Sequence, residues 1–251
     1  MKILVTFAVA SEFAAWRRRH DFRQIAHEPF ALYVSEIAGN AVRVLLTGMG
    51  TATAAEATRW ALASPADICI SSGFAGALNS DFGVGAVVAG RVVLRAEREL
   101  AVASDHQLLS IAQDAGARQV GRFLTSEHLI ADAAQKVALA GEADAVEMES
   151  FVILAEAARH GVRAAAIRSV SDPAEYSLPY DFDQARDARG QIRLSALLGQ
   201  VIRQPQRLPA LLSFARDCRL AARQLADFLD QYLQLLSARL DLSQSEMMAA
   251  T

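Results

Sequence analysis

The sequence predicts an α/β fold with a mixed central sheet. Short apolar or β-branched runs alternate with longer helical patterns as far as residue 170, and this alternation is typical of α/β proteins. Two predicted strands, residues 32–37 and 42–46, flank Gly39-Asn40, a pair that favours a tight hairpin turn. Because a hairpin pairs its strands antiparallel, we expect a sheet that is mixed and not purely parallel.

The individual elements follow from apolar periodicity and from residues typical of helix boundaries. Residues 2–9 form a continuous apolar run, as a central strand does. Ser104 is the expected cap of a helix that runs to about residue 115, and the glycines of residues 73–76 close a strand as a turn. The full prediction comprises strands over 2–9, 32–37, 42–46, 67–72, 84–94, 119–125, 145–148 and 164–170, and helices over 11–20, 52–63, 104–115, 131–140, 149–160, 195–202 and 208–240.

Length, composition and charge narrow the class of protein. The chain has 251 residues, of which 53% are hydrophobic, so we expect a single domain with a large core. The core should cover about residues 1–174, and a polar loop and helical extension about residues 175–251. The formal net charge of −3 gives no electrostatic reason to expect nucleic acid as a partner. Cys69 and Cys218 are isolated, which fits a cytoplasmic protein without disulfides.

Several common ligand-binding and catalytic motifs do not occur. Gly48-Met49-Gly50 and Gly73-Phe74-Ala75-Gly76 each follow a strand, where glycines either let backbone amides approach a ligand or simply make a tight turn. Neither stretch is a dinucleotide-binding or a Walker-type glycine motif, and no GxSxG elbow is present. The five histidines show no HxxxH or HExxH spacing, so we expect no metal site.

Two acidic residues are the strongest candidates for a chemical site. Glu149 opens a very apolar helix and Asp172 ends a buried strand, which predicts that both lie at neighbouring strand ends, where such sheets hold ligands. We expect the helix dipole to hold Glu149 as an anion, suited to accept two sugar hydroxyls. The alternative is a helix charge with no ligand.

Asp172 and Glu12 each have a second interpretation as well. Partial burial should raise the pKa of Asp172 and let it donate a proton, although an Asx turn before Pro173 would explain the same residue. Glu12 lies just past the first strand. It is either close to the other strand ends or a solvated residue in the first turn of a helix.

Taken together, the segments of the chain resemble the purine nucleoside phosphorylase superfamily, and most of all its 5′-methylthioadenosine/S-adenosylhomocysteine nucleosidase branch. The resemblance extends from Met1 to about Ala174, with the motifs in the order and at the spacing of the family. The motifs are Gly48-Met49-Gly50, Ser72-Gly73-Phe74-Ala75-Gly76-Ala77-Leu78, Val84-Gly85, Val146-Glu147-Met148-Glu149 and Ser171-Asp172.

The resemblance implies a three-layer α/β/α sandwich around a mixed, mostly parallel sheet, with extra C-terminal helices here. It also implies an enzyme that cleaves N-glycosidic bonds. Asp172 would protonate N7 of a purine leaving group, Glu149 would accept ribose hydroxyls with Met148 packed on the sugar, and Glu12 would activate the attacking water. The further substrate-binding candidates are Glu147, Ser171, Gly73, Phe74, Ala75, Gly76, Leu129 and Ile130.

The chain departs from the pattern of the family at two positions of the expected pocket. Phe74 stands where the nucleosidases usually carry a small hydroxylated residue, and Leu129 stands near the place of the purine-stacking aromatic. The phosphorolytic relatives carry an Arg in the strand before the Gly73 turn, where this chain has Cys69-Ile70-Ser71-Ser72. This difference favours water over phosphate as the nucleophile, although another residue could bind phosphate.

The C-terminal part of the chain resembles hopanoid-associated phosphorylase-like proteins, through Leu178-Pro179 and the stretch from Arg203 to Leu211. In that group the implied reaction is release of adenine from adenosylhopane. Residues 208–240 could lie on a membrane surface, but we prefer a helix packed on its own domain or on a second subunit.

The sequence therefore predicts a nucleosidase acting on an adenine-type nucleoside with an apolar 5′ substituent. A phosphate-dependent phosphorylase is the alternative within the fold, and a non-catalytic nucleoside-binding protein is the alternative of another class. We expect no cofactor, with water or inorganic phosphate as co-substrate. A homo-oligomer is expected from the resemblance.

Overall fold

The computed structural model describes residues 1–96, 100–182, 184–185, 187 and 194–249. Eleven strands and seven α-helices are present in the described part of the chain. The strands are β1 Lys2–Phe7, β2 Arg23–Ala26, β3 Leu32–Ile37, β4 Asn40–Leu46, β5 Ile68–Ser71, β6 Phe74–Ala77, β7 Val87–Arg95, β8 Leu100–Ala103, β9 Arg118–Thr125, β10 Ala145–Glu147 and β11 Arg163–Asp172. The helices are α1 Ala10–Arg17, α2 Thr51–Leu62, α3 His106–Asp114, α4 Ala133–Leu139, α5 Ser150–Arg159, α6 Leu194–Arg203 and α7 Leu208–Ala249.

All strands belong to one mixed sheet in the order β2-β3-β4-β1-β5-β11-β6-β10-β9-β7-β8. The central pairs β4–β1, β1–β5, β5–β11 and β11–β6 include the parallel core of the sheet, whereas β3 and β4 form the predicted antiparallel hairpin. Strand β7 pairs with both β9 and β11, so five strands close into a ring at one side of the sheet. The predicted α/β fold with a mixed sheet is confirmed.

Helices cover both faces of the sheet and make it the middle layer of three. Along β1, Ile3, Val5 and Phe7 are buried in the cluster that also contains side chains of α1, α3 and α7. Leu4 points the other way, into the cluster that holds side chains of α2 and α5. This alternation of the β1 side chains is what a strand buried on both faces requires.

The long C-terminal helix packs on its own domain in its second half. Apolar side chains between Ala222 and Leu240 are buried in the same cluster as those of α1 and α3, and the Trp16 indole Nε1 donates to Asp230 at 2.6 Å. The first half of α7 is mostly exposed, and Leu212 and Leu220 are among its large exposed apolar side chains. No helix in the described residues has the length and apolar character that crossing a membrane requires.

Two local expectations were wrong. Residues 74–77 form strand β6 and not a turn, because Phe74–Ala77 pairs with β11 and β10 on either side. Asp105 and not Ser104 caps α3, since the Ser104 hydroxyl donates to the Gly90 carbonyl at 2.7 Å.

Two further strands, β2 and β8, were not predicted, because both are short, partly exposed edge strands without a strong apolar pattern. Of the predicted polar loop at 175–193, residues 183, 186 and 188–193 lie outside the described residues.

Candidate active site

A pocket of about 220 Å³ opens where β1, β10 and β11 end. Its lining brings together all the predicted site residues except Gly73 and Ile130. Glu149 and Asp172 do not lie at neighbouring strand ends as expected, because β6 runs between β10 and β11. The lining residues are Ala8, Val9, Ser11, Glu12, Met49, Phe74, Ala75, Gly76, Leu129, Val146, Glu147, Met148, Glu149, Ser171, Asp172, Leu178, Phe182, Phe214 and Cys218.

Asp172 is a buried carboxyl group at the end of β11. Its Oδ1 accepts a hydrogen bond from the Ser171 hydroxyl at 2.6 Å, and its Oδ2 pairs with the Lys136 ammonium group. Burial raises the pKa of Asp172 above its usual value, while Lys136 and Ser171 oppose that rise. The direction agrees with the expectation for a carboxyl group at the end of a buried strand.

Glu149 directly precedes α5 and is also buried. Its Oε1 accepts from the backbone N–H of Gly50 at 2.9 Å, and its Oε2 lies 3.5 Å from a guanidinium nitrogen of Arg168. Burial raises the pKa of Glu149 to about 7, although the charge of Arg168 lowers it, and the neighbouring charge of Glu147 adds to the rise. Burial of the Glu149 carboxyl group therefore opposes the stabilisation of its anion that we expect from the helix dipole.

Glu12 is buried in the first turn of α1 and is not the solvated residue of the alternative interpretation. Its Oε2 accepts from the backbone N–H groups of Ala8 at 2.8 Å and Val9 at 3.0 Å. Its Oε1 accepts from the N–H of Phe74 at 2.7 Å, which links α1 to β6. Burial raises the pKa of Glu12, and the charge of Arg168 and these N–H groups oppose that rise.

Arg168 is a fully buried cation in the middle of β11 that the sequence analysis did not assign. Its guanidinium group donates to Glu147 Oε2 at 2.5 Å and to the hydroxyl groups of Ser150 at 3.0 Å and Ser71 at 3.3 Å. It also lies beside Glu149 and lowers the pKa of Glu12. Arg168 therefore interacts electrostatically with three buried carboxyl groups.

Glu147 uses its carboxyl group within the protein. Oε2 accepts from the backbone N–H groups of Glu149 at 2.9 Å and Ser150 at 2.7 Å as well as from Arg168. Oε1 accepts from the Thr125 hydroxyl. With both oxygens engaged, Glu147 caps α5 and holds Arg168, which is a different task from the expected binding of substrate.

Two glycines make room for the carboxyl groups. A Cβ atom at Gly73, where φ is +134°, would lie 2.6 Å from Glu12 Oε1 and 2.7 Å from Arg168 Nη1. A Cβ atom at Gly76 would lie 2.9 Å from Asp172 Oδ2. Gly73 therefore lies behind the pocket, where it lets Glu12 and Arg168 approach each other.

Apart from Ser11 and Ser171, the rest of the pocket wall is apolar. Phe74 and Leu129 line it as expected, and four further side chains from the segment after β11 and from α7 close it. Sequence reasoning missed these four because nothing in the C-terminal extension marks them as neighbours of the strand ends. They are Leu178, Phe182, Phe214 and Cys218.

The missed cations did leave a signal in the sequence. Arg168 interrupts an otherwise small and apolar strand, Ala164-Ala165-Ala166-Ile167-Arg168, and Lys136 is one of only two lysines in an arginine-rich chain. A charge in a buried strand needs a partner, but periodicity does not say which one. Within the described ranges of the chain, no three His, Cys, Asp or Glu side chains are grouped as metal ligands.

The fold is that of the N-glycosyl hydrolases and nucleoside phosphorylases, the enzyme class that the sequence predicts. The chain belongs to the phosphorylase superfamily, whose family model matches residues 2–203. The predicted family is thereby confirmed.

Solved structures of this fold cover nearly the whole chain. The 5′-methylthioadenosine/S-adenosylhomocysteine nucleosidase from Neisseria meningitidis, in complex with methylthio-immucillin-A, is 22% identical with a TM-score of 0.72, covering 93% of this chain and 98% of its own. The corresponding nucleosidase from Campylobacter jejuni is 17% identical with a TM-score of 0.72, covering 93% and 99%.

A futalosine hydrolase mutant from Helicobacter pylori is 16% identical with a TM-score of 0.69, covering 92% and 98%. At these identities the likeness concerns the fold. Comparison with curated protein sequences found no significant match.

Proposed function

We propose that the protein cleaves the N-glycosidic bond of an adenine-type nucleoside with an apolar 5′ substituent, and that water is the nucleophile. The observation that carries the proposal is the pocket lining, in which Glu12, Glu147, Glu149 and Asp172 share one cavity with apolar side chains. Glycosidic cleavage passes through an oxocarbenium-like sugar, which nearby negative charge stabilises.

Asp172 is the proposed general acid. A purine leaves more readily as a neutral base than as an anion, so protonation at N7 lowers the barrier to bond cleavage. The raised pKa of Asp172 increases the fraction of this carboxyl group that carries a proton near neutral pH. Gly76 keeps the space beside Oδ2 free, which supports an acid held at the pocket wall.

Glu12 is the proposed base for the attacking water. An ionised carboxylate has about four acceptor positions, and the N–H groups of Ala8, Val9 and Phe74 occupy three of them. The remaining position, on Oε1, is available to a water proton. The raised pKa of Glu12 makes it a stronger base than an exposed glutamate.

Glu149 is the proposed acceptor for the ribose hydroxyls, with Met148 against the sugar. Its carboxyl group is fixed by the N–H of Gly50 on one oxygen and by Arg168 near the other. Both oxygens keep acceptor capacity toward the pocket that Glu149 and Met148 line.

The charge of the pocket favours water over phosphate. Among the described residues that line the pocket, four are acidic and none is Lys or Arg. Inorganic phosphate near pH 7 carries a charge between −1 and −2 and is usually bound by Arg or Lys. Arg168 lies behind the wall, where Glu147 engages its guanidinium group.

The apolar part of the wall supports the proposed 5′ substituent. Phe74, Leu178, Phe182 and Phe214 line one pocket, so an alkyl group there would leave water. Each buried CH₂ contributes about 0.8 kcal/mol, which corresponds to roughly a fourfold gain in kcat/KM per added methylene.

The test is chromatographic base release from adenosine, 5′-methylthioadenosine, inosine and a series of 5′-alkyl adenosines, each with and without inorganic phosphate. We expect release without phosphate and a rise of kcat/KM with alkyl length. Asp172→Asn, which keeps the shape of the side chain, is the matched inactive control.

Each rival gives a different result in the same assay. Release only with phosphate, accompanied by a sugar phosphate product, would make the protein a phosphorylase. Tight binding of nucleosides by calorimetry without any base release would make it a non-catalytic binding protein. A decline of kcat/KM with alkyl length would remove the proposed apolar substituent while leaving base release intact.

A further inference from the structure

Lys136 is a buried lysine in a chain that has only one other. The two lysines are Lys2, which is exposed on β1, and Lys136 on α4, whose side chain is fully buried. Burying an ammonium group is costly unless it is paired and fully hydrogen-bonded. The surroundings of Lys136 Nζ therefore show what this burial achieves.

The Lys136 Nζ has three partners, and each of them is an acceptor. It donates to Asp172 Oδ2 and, at 3.0 Å each, to the backbone carbonyls of Pro173 and Tyr176. Three acceptors require three N–H bonds, which an ammonium group has and a neutral amine lacks. The site is therefore built for the charged form of Lys136.

The contacts of Lys136 connect the proposed acid to the wall of the pocket. Next to α4, the carbonyl of Ala131 accepts from the N–H of Leu178 at 2.8 Å, and the N–H of Ala133 donates to the Ser177 hydroxyl at 3.0 Å. Leu178 lines the pocket, as does Leu129 just before this segment. Lys136 thus joins Asp172 to the two segments that carry Leu129 and Leu178.

The groups that face Asp172 from the surrounding elements are few. On its own strand Ser171 donates to Oδ1, and Tyr176 follows in the next turn. From α7 the Cys218 thiol faces the site, and burial raises the pKa of that thiol to about 12. Among the described residues that act on the Asp172 carboxyl group, Lys136 provides the positive charge.

We propose that Lys136 is a positioning residue: its ammonium group holds the Asp172 carboxyl group at the pocket wall and sets the pH range over which that group carries a proton. The inference rests on the proposed base release. In the reaction, the O–H bond of Asp172 breaks and the N7–H bond of the base forms. Lys136 keeps its three protons and stabilises the carboxylate that results.

Lys136 thereby keeps the buried Asp172 carboxyl group acidic enough to give its proton to N7 of the base. Without the cation, burial alone would favour the protonated form of Asp172 up to high pH. That carboxyl group would then be a weaker acid, and it would give up its proton to N7 less readily.

The experiment replaces each lysine in turn. Lys136→Met removes the buried charge, Lys136→Arg keeps a charge there, and Lys2→Met is the matched control with the same change of net charge at the surface. The pH dependence of kcat and of kcat/KM is measured for each variant. In parallel, the Asp172 carboxyl group is titrated by carbon NMR, with its signal identified by Asp172→Asn.

We expect Lys136→Met to move the alkaline limb of the rate profile and the Asp172 titration midpoint upward together, by about 1–3 pH units, the usual effect of an adjacent opposite charge. Lys136→Arg should stay close to the wild type, and Lys2→Met should coincide with it. A folded Lys136→Met protein with an unchanged Asp172 midpoint would overturn the proposal, as would an equal shift in Lys2→Met.

If Lys136→Met does not fold, Lys136→Gln is used for the same test. The measurements on this variant start at acidic pH, because a protonated Asp172 is neutral and needs no cation beside it. The two readouts separate this inference from the proposed function. If the wild type releases no base, the proposed function fails, whereas the carboxyl titration still decides whether Lys136 controls Asp172.

Discussion

Arg168→Met removes the cation on which the buried acidic residues depend, and its effect follows from the structure. The guanidinium group touches Glu147 directly, lies beside Glu149 and faces Glu12. The Met side chain is also long and unbranched, but it carries no charge and donates no hydrogen bond. The substitution therefore leaves three carboxyl groups in the core without a counter-charge.

The expected cost is large compared with ordinary protein stability. Removing one partner of a buried ion pair typically costs about 3–5 kcal/mol. The total free energy of unfolding of a protein is only about 5–15 kcal/mol. For a chain of this size, 1 kcal/mol corresponds to about 2–4 °C in Tm. We therefore expect Tm to fall by about 6–20 °C at neutral pH.

The pH dependence of this loss distinguishes charge from packing. Burial already raises the pKa values of Glu12 and Glu149, and the charge of Arg168 opposes that rise. Without Arg168 both pKa values therefore rise further above their unfolded value of about 4.3. A carboxyl group whose folded pKa is raised destabilises the protein above the unfolded pKa, and the penalty grows until the pH reaches the folded pKa. The loss in Arg168→Met should therefore be small near pH 4 and large near pH 7.

Urea denaturation at several pH values measures this difference. Arg239→Met is the matched control, because Arg239 makes a surface ion pair with Asp114 at 2.5 Å and such pairs contribute about 0–1 kcal/mol. Adding Glu147→Gln to Arg168→Met should recover part of the loss at neutral pH. A loss in Arg168→Met that is independent of pH would show that packing, and not charge balance, gives Arg168 its importance.

Four further predictions concern the proposed reaction. Asp172→Asn should lower kcat by about 10²–10⁴-fold, the usual contribution of a general acid, with an unchanged fold by circular dichroism; near-normal turnover would remove Asp172 as the acid. Glu149→Ala should impair ribosides far more than 2′-deoxyribosides, and an equal loss for both would contradict its sugar role. Since the pKa of Glu149 is raised to about 7, KM should rise as the pH falls below that value, and Glu149→Gln should abolish this dependence. Phe74→Ser should improve small substrates relative to 5′-alkyl ones, and unchanged selectivity would make Phe74 a core residue only.

The homo-oligomer implied by the family resemblance stays a prediction. Light scattering on the purified protein measures the mass of the particle directly. A mass equal to the 27.0 kDa of one chain would contradict it.

Local sequence was sufficient wherever one pattern had one physical meaning. The apolar runs of β1, β5 and β11 are buried strands as predicted. The predicted hairpin also forms, although its turn is Ala38-Gly39 and Asn40 is already the first residue of β4. Strand β6 was missed because Gly76, and Gly73 just before the strand, suit a turn equally well in isolation. Only its pairing with β10 and β11 makes it a strand.

In the candidate site, too, local sequence predicted some features and tertiary contacts decided others. Glu12, Glu149 and Asp172 were identifiable because acidic residues next to buried elements need a reason to be there. The shifts of their pKa values were not identifiable, since these depend on burial and on Arg168 and Lys136, which come from the middle of β11 and from α4.

The sequence by itself determined the α/β class, the family and the acidic residues of the site, because these depend on short-range patterns. The tertiary structure alone decided that β6 separates Glu149 from Asp172, that Glu147 is used to hold Arg168, and that the C-terminal extension closes the pocket. The physical reason is that pKa shifts and pocket walls arise from groups far apart in the chain. Local periodicity carries no information about which of them meet.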